Sequence, residues 1–230
     1  MNYTICTVVN DIYWDFLYYF TKSALEKCNG MTELIVLYTG ENFKEDPIFN
    51  NNRVKIAKYH GSITTKNIWD EGWQKNIDLK TQFLRDLATK KDNPIFLIDV
   101  DCYFLHEFID VIDMTKDIAV TKRVHTSPYI ASFVGLIKPK ACLEFIDVWR
   151  DNMSKIPTVP RETTALVRTI PSMKDKILIQ EIPETTINCI NFQSTPPEAR
   201  ILHFKGHKIG DAVQLLNHRL NSLNLSPKNI

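Results

Sequence analysis

The N-terminal half of the sequence alternates two kinds of segment, and this order limits the folds open to the chain. Short apolar, β-branched runs at Tyr3–Val9, 33–39, 53–59 and Ile95–Ile98 are typical of strands. Residues 13–24 and 73–90 instead carry apolar side chains at helical spacing. Strands that alternate with helices predict an α/β layered domain with a mixed, mostly parallel sheet flanked by helices.

Further strands are predicted at 116–121 and 129–137, and a helix is predicted behind Pro139. The last third is less regular, with predicted strands at 177–182, 187–190 and 200–203. No segment is rich enough in Gly, Ser or Pro to divide the chain, so we expect one domain over 1–218. The polar residues 219–230 are expected to form a C-terminal tail.

Composition excludes several classes of protein. The chain of 230 residues has 28 basic and 27 acidic side chains, a net charge of +1, which argues against a nucleic-acid partner. No apolar run reaches the roughly 18 residues of a membrane span, so no transmembrane segment is expected, although a peripheral membrane contact stays open. The five cysteines have no C-x-x-C spacing and are expected to be buried, reduced thiols, which favours a cytoplasmic location; they are Cys6, Cys28, Cys102, Cys142 and Cys189.

Two carboxylates follow the fourth predicted strand directly. Asp99 and Asp101 are spaced i, i+2, and in an extended segment such residues point to the same side. Ligands of open α/β sheets bind at the carboxyl ends of the strands. Paired carboxylates there suit Mg²⁺ or Mn²⁺, the ions that accompany substrate phosphates, whereas the alternative is a solvated acidic turn.

A lysine lies on an apolar helix face. At about 100° per residue, Lys80 falls near the centre of the face formed by Ile77, Leu84 and Leu87. Such a lysine either extends its ammonium group to the surface or meets an anion, and a phosphate at the sheet edge would be one.

A short apolar run near the C-terminus ends in His203 and leads into a loop with Lys205, Gly206 and Lys208. Glycine lets backbone amides approach a phosphate, and lysines supply positive charge. Neutral imidazole is a common metal ligand, although a lone histidine is more often structural.

Taken together, these residues resemble the metal-dependent, nucleotide-sugar glycosyltransferases of the GT-A fold, and in particular the glycogenin and lipopolysaccharide galactosyltransferase family. The first strand and turn, with Thr7, Asn10, Asp11 and Tyr13, is similar to the family's Thr-x-x-(Asn/Asp)-Asp-x-Tyr opening, which lines the nucleoside pocket. The resemblance implies a nucleotide-diphosphate sugar donor, with UDP as the nucleotide.

The later motifs extend the resemblance. Lys80 stands where the family keeps a basic residue for the donor phosphates, and Asp99 and Asp101 are similar to its D-x-D carboxylates, which hold the metal and the donor ribose. His203 and Gly206 are similar to the terminal His-x-x-Gly, whose histidine is a metal ligand. The resemblance implies Mn²⁺ or Mg²⁺ on Asp99, Asp101 and His203, with Lys205, Gly206 and Lys208 closing over the diphosphate.

The implied reaction is transfer of the sugar to an acceptor hydroxyl on a glycan, a lipid-linked molecule or a protein. An inverting reaction needs a carboxylate base, for which Glu162 is the candidate, whereas a retaining one needs no obvious protein nucleophile. Glu162 could equally be a solvated surface charge.

The sequence departs from the family where the acceptor and the catalytic groups are expected. Phe133-Val134-Gly135 stands in place of the family's Asn-Ser-Gly, and Glu162-Thr163 is the nearest match to its Asp-Gln. Two alternatives therefore stay open. One is a phosphatase of the haloacid dehalogenase type, which also carries D-x-D after a strand, and the other is a GT-A-like protein that binds a nucleotide without turnover.

Overall fold

The computed structural model describes residues 1–61, 63, 70–124, 127–157, 161–190 and 195–222. Nine strands run through these residues: β1 (Tyr3–Val9), β2 (Met31–Tyr38), β3 (Val54–Lys58), β4 (Ile95–Ile98), β5 (Cys102–Phe104), β6 (Ile118–Lys122), β7 (Tyr129–Leu136), β8 (Ile179–Pro183) and β9 (Ile201–His203). The α-helices in the same residues are α1 (Trp14–Lys27), α2 (Glu71–Lys90), α3 (Leu143–Ser154), α4 (Arg161–Met173), α5 (Glu184–Ile187) and α6 (Ile209–Ser222).

The main sheet has seven strands in the order β3-β2-β1-β4-β7-β6-β8. β7 is antiparallel to both of its neighbours, and the remaining pairs are parallel. The expected mixed, mostly parallel α/β sheet is confirmed. Because β7 is reversed between β4 and β6, the carboxyl ends of β1, β4, β6 and β8 lie at one edge of the sheet.

Helices cover both faces of the sheet. α2, α3 and α4 bury apolar side chains on one face, and Trp149 of α3 is fully buried there. α1 and α6 pack on the other face with an aromatic cluster that includes Phe96, Phe108 and Phe133. No helix in the described residues is long and apolar enough to cross a membrane.

A second, two-stranded sheet joins distant parts of the chain. β5 follows the D-x-D segment, and it pairs antiparallel with β9 so that Cys102 lies opposite His203. The hydroxyl of Ser23 on α1 accepts the backbone N–H of Phe104 at 3.2 Å, which fixes β5 against that helix. This small sheet places residues about a hundred positions apart beside each other.

Two expectations for the C-terminal third are corrected. Residues 187–190 do not form a strand, because Ile187 ends α5 and Cys189 makes only an isolated bridge to Leu202. α6 continues to Ser222, beyond the position at which we expected the polar tail to begin. Arg219 is buried and donates to the carbonyl of Thr195 at 3.2 Å, so it belongs to the folded part; residues 223–230 lie outside the described ones.

The expectation that the cysteines are buried and reduced is confirmed. Cys6, Cys28, Cys102, Cys142 and Cys189 are all free thiols and all buried.

Candidate active site

The D-x-D segment lies at the carboxyl edge of the sheet, as expected, but it is not extended. β4 ends at Ile98, the N–H of Asp99 donates to the carbonyl of Ser132 at 2.9 Å, and a turn at Val100 and Asp101 leads into β5. Asp99 and Asp101 are therefore not alternate residues of one extended strand. The charges of both act on the Tyr13 hydroxyl, whose pKa is raised to about 12 by burial, by Asp101 and by Asp99.

Asp101 faces the histidine of the C-terminal motif. The Nε2 atom of His203 lies 3.3 Å from a carboxylate oxygen of Asp101, and the imidazole is almost fully buried. Burial disfavours the charged form of both groups, but their mutual attraction outweighs it. As a result the pKa of His203 is raised and the pKa of Asp101 is lowered. The Nδ1 atom of His203 is buried without a hydrogen-bond partner.

The donor atoms at this position fit a small divalent cation in part. In the described residues, Asp101, Cys102 and His203 form a group whose possible ligand atoms all lie within 4.8 Å of one another. Burial and the charge of Asp101 raise the pKa of the Cys102 thiol well above its usual range, so the sulfur is a neutral and poor ligand for a hard cation. The carboxylate of Asp101 and the imidazole of His203 are therefore the two side chains that suit Mn²⁺ or Mg²⁺ here.

Asp99, the third predicted ligand, lies outside that group and is bound to Lys80. The Nζ atom of Lys80 lies 2.5 Å from Asp99 Oδ1 and 2.6 Å from Glu162 Oε1, and it donates to the carbonyl of Ala131 at 3.2 Å. Burial lowers the pKa of Lys80, but the two carboxylates outweigh burial and raise it. Of the two alternatives left open for Lys80, surface exposure and pairing with an anion, the structure shows pairing, and the anions are carboxylates.

Glu162 is part of the same cluster. It lies in the first turn of α4 and is only 8% exposed, so the alternative of a solvated surface charge is wrong. Burial and the nearby Asp99 raise the pKa of Glu162 and Lys80 lowers it, and the net direction is upward. Its carboxylate therefore takes up a proton more readily than that of an exposed glutamate.

The predicted nucleoside-pocket residues lie where β1 enters α1. Thr7 is fully buried and its hydroxyl has no hydrogen-bond partner, whereas the side chain of Asn10 accepts the N–H of Tyr13 at 3.3 Å. The carboxylate of Asp11 accepts the Tyr38 hydroxyl and backbone N–H groups of the loop that follows β2. Asp11 thereby organises that loop.

The predicted phosphate loop follows β9. Lys205, Gly206 and Lys208 are all exposed, and Gly206 has a φ of +76°, which favours glycine. The N–H of Phe204 donates to the carbonyl of Asp101 at 2.8 Å, so the loop begins at the carboxylate and histidine pair. Lys205 is close enough to His203 for its charge to oppose protonation of the imidazole.

Four polar residues near the carboxyl edge of the sheet were not among the predicted site residues. Arg123 and Glu184 form a largely buried ion pair at 3.1 Å, and the hydroxyl of Ser132 donates to Asn188. Arg123 and Glu184 each come directly after a strand, a position that can be found in the sequence. Nothing in the sequence indicates that Ser132 pairs with Asn188.

Comparison with known proteins supports the fold. No family model matches the sequence, and no curated protein matches it. Among solved structures, a glycosyltransferase involved in the glycosylation of the major capsid of PBCV-1 matches 95% of this chain and 98% of its own, with a TM-score of 0.63 and 13% sequence identity. The chain therefore has the fold of a glycosyltransferase.

Proposed function

We propose that this protein is a glycosyltransferase that moves a sugar from a nucleotide-diphosphate donor, preferentially a UDP-sugar, to an acceptor hydroxyl. One observation carries the proposal. Asp101 and His203, a carboxylate and an imidazole about a hundred residues apart in the chain, meet at the carboxyl edge of a glycosyltransferase fold, beside the turn that carries Asp99 and its lysine. That edge is the place where open α/β sheets bind ligands.

Asp101 and His203 would hold Mn²⁺ or Mg²⁺, and Asp99 would complete the set when its carboxylate turns from Lys80. The bound ion would supply Lewis-acid stabilisation of the leaving nucleoside diphosphate. Lys205, Lys208 and the backbone around Gly206 would bind the diphosphate and neutralise the charge that develops on it. Thr7, Asn10, Asp11 and Tyr13 would line the nucleoside side.

Lys80 would have two roles. It fixes Asp99 and Glu162 in the free protein, and on donor binding its ammonium group becomes available to a phosphate oxygen. Glu162 would act as the general base if the reaction inverts, because a buried carboxylate whose pKa is raised is a stronger proton acceptor than an exposed one.

Calorimetric titration of UDP into the protein, with Mn²⁺ and then with EDTA, tests the donor site. We expect binding that requires the metal, followed by release of free UDP when UDP-sugars are supplied with acceptors or water. Binding without turnover of any UDP-sugar would indicate the nucleotide-binding alternative. Absence of UDP binding in both conditions would overturn the proposal, and cleavage of a phosphomonoester would then favour the phosphatase.

A further inference from the structure

Two further strands end at the same edge of the sheet as β4. β6 ends at Lys122 and β8 ends at Pro183, and the next residues along the chain are Arg123 and Glu184. The Arg123 Nε–H donates to Glu184 Oε2 at 3.1 Å, with both side chains largely buried. The second carboxylate oxygen, Oε1, is buried and has no hydrogen-bond partner.

Four residues further along the chain, Asn188 has an unused hydrogen-bond donor. Its Oδ1 atom accepts the Ser132 hydroxyl at 2.5 Å, while its Nδ2 group is buried and has no partner. The N–H of Asn188 donates to the carbonyl of Glu184 at 3.0 Å and ends the short helix α5, so the two residues lie one turn apart. An acceptor and a donor, each on a side chain held by its other polar atom, are thus left unused one turn apart.

This pair lies between the two segments that carry the candidate metal ligands. The carbonyl of Ser132 accepts the N–H of Asp99 at 2.9 Å, and the carbonyl of Cys189 accepts the N–H of His203 at 3.0 Å. Asn188 is therefore linked to both segments. Its side chain bonds to Ser132, which binds Asp99, and the next residue, Cys189, binds His203. A sugar attached to a diphosphate at Asp101 and His203 would extend into this region.

We infer that Glu184 Oε1 and Asn188 Nδ2 bind a sugar hydroxyl, an inference that rests on the proposed function. A buried polar atom without a partner destabilises the folded state, and two such atoms of opposite character are therefore expected to have a ligand. A hydroxyl group can donate one hydrogen bond and accept another, which matches the chemistry of one free carboxylate oxygen and one free amide N–H.

The sugar belongs either to the donor or to the acceptor, since both carry hydroxyl groups. Neither Glu184 Oε1 nor Asn188 Nδ2 is accessible in this structure, so neighbouring side chains must shift when the hydroxyl binds. The inferred contacts are to the sugar and not to UDP. The test therefore compares the affinity for UDP with the affinity for a UDP-sugar.

The test compares the affinities of UDP and of a UDP-sugar in Mn²⁺ for three near-isosteric variants. Glu184→Gln places an amide where the free acceptor was, Asn188→Asp places a carboxylate oxygen where the free donor was, and the double variant exchanges the two. The UDP-sugar is whichever of UDP-glucose, UDP-galactose and UDP-N-acetylglucosamine the wild type turns over. Glu181→Gln is the matched control, because Glu181 lies on β8 and bonds only to Lys122 and Tyr129 among the contacts described.

Each single variant is expected to bind the UDP-sugar about tenfold more weakly while UDP affinity is unchanged, which is the loss expected for one hydrogen bond to a charged or buried group. The double variant should recover most of the loss, since a hydroxyl can reverse its direction. Unchanged donor affinity with a raised KM for p-nitrophenyl glycoside acceptors would assign the hydroxyl to the acceptor. Thermal unfolding of each variant shows whether it is folded.

Variants that fold and that equal the wild type in UDP-sugar affinity, in turnover rate and in KM for the acceptor would overturn the inference. The proposed function would still stand. Equal losses for UDP and for the UDP-sugar would also overturn it, because they would mean a general disturbance of the site. A wild type that binds no UDP would overturn the proposed function itself, and this inference with it.

Discussion

The ammonium group of Lys80 lies 2.5 Å from the carboxylate of Asp99. Lys80 itself is on the buried face of α2, which is otherwise mostly apolar. The same group holds Glu162. Lys80→Met would leave two carboxylates next to each other without a cation, and one of them is buried. We expect the free energy of unfolding to fall by about 3 kcal/mol, the loss typical of breaking a buried ion pair. Urea denaturation would measure it.

Lys75→Met on the same helix is the control for that variant, because Lys75 is exposed and pairs with Glu71 one turn away. Its stability should match the wild type. Glu162→Gln in the Lys80→Met background should recover part of the loss, since it removes one of the two uncompensated charges. A Lys80→Met protein as stable as Lys75→Met would contradict the prediction.

Metal-dependent binding of UDP is expected to depend on Asp101 and His203. Asp101→Ala should abolish it, because no other carboxylate lies as close to the imidazole in the group described, and His203→Ala should weaken it strongly. Calorimetry in Mn²⁺ measures both. Asp92→Asn, at an exposed aspartate that pairs with Lys140, should bind as the wild type does. Wild-type binding by both site variants would rule out this assignment.

Gly135 is required where β7 crosses Phe96. A Cβ atom at position 135 would lie 2.7 Å from two carbons of the Phe96 ring, which is itself packed against Tyr3 and Phe108. Gly135→Ala should therefore lower the free energy of unfolding by about 1–3 kcal/mol through overpacking.

Gly210 is the matched glycine, because a Cβ atom there would meet nothing within 4 Å and the residue lies in the first turn of α6. Gly210→Ala should leave stability unchanged or raise it by about 0.5–1 kcal/mol. If Gly135→Ala behaved like Gly210→Ala in thermal unfolding, the close contact with Phe96 would be refuted.

Asp117 should make stability depend on acidity. Its carboxylate accepts the N–H of Leu178 at 2.8 Å and binds Lys138 at 2.7 Å; burial opposes ionisation, but these contacts outweigh it and lower the pKa of Asp117. Because the folded state favours the ionised group, this stabilisation is complete above the unfolded pKa of about 3.9 and is lost as pH falls below it.

Asp117→Asn should thus have a lower melting temperature than the wild type at pH 7, and the difference should shrink at pH 3. Asp175→Asn removes the same charge from an exposed position in the turn after α4 and serves as the control. A difference between Asp117→Asn and the wild type that is equal at both pH values would show that ionisation of Asp117 does not contribute.

Strand β4 shows what local sequence can predict. Four apolar residues between Pro94 and Asp99 were expected to form a strand, and the bounds coincide with Ile95–Ile98. Such a run is buried whatever its neighbours are, so its location needs no tertiary information. The placement of Lys80 on the apolar face of α2 was predictable from helical phasing, whereas the choice between a surface-exposed and a buried ammonium group was not.

α4 shows where the prediction stops. Its sequence contains three threonines and Pro171, residues with low helix propensity, and its stability comes from burial of Ala165, Leu166 and Ile170 beside α3. The partners of Lys80 were likewise not predictable, because Glu162 reaches it only through the packing of α4. The turn at Asp99–Asp101 has a tertiary cause too, since Asp101 turns toward His203 on β9.

The pairing of β5 with β9 has a consequence for biosynthesis. Cys102 and His203 are neighbours in that small sheet although about a hundred residues separate them. Closing the sheet therefore costs conformational entropy of the intervening chain, and the pairing cannot form until β9 has been synthesised. A ribosome-bound chain that has not yet extruded His203 can form the first half of the main sheet but lacks the imidazole beside Asp101. The cation binding that we propose for Asp101 and His203 should therefore be acquired late in translation, after the first half of the main sheet has formed.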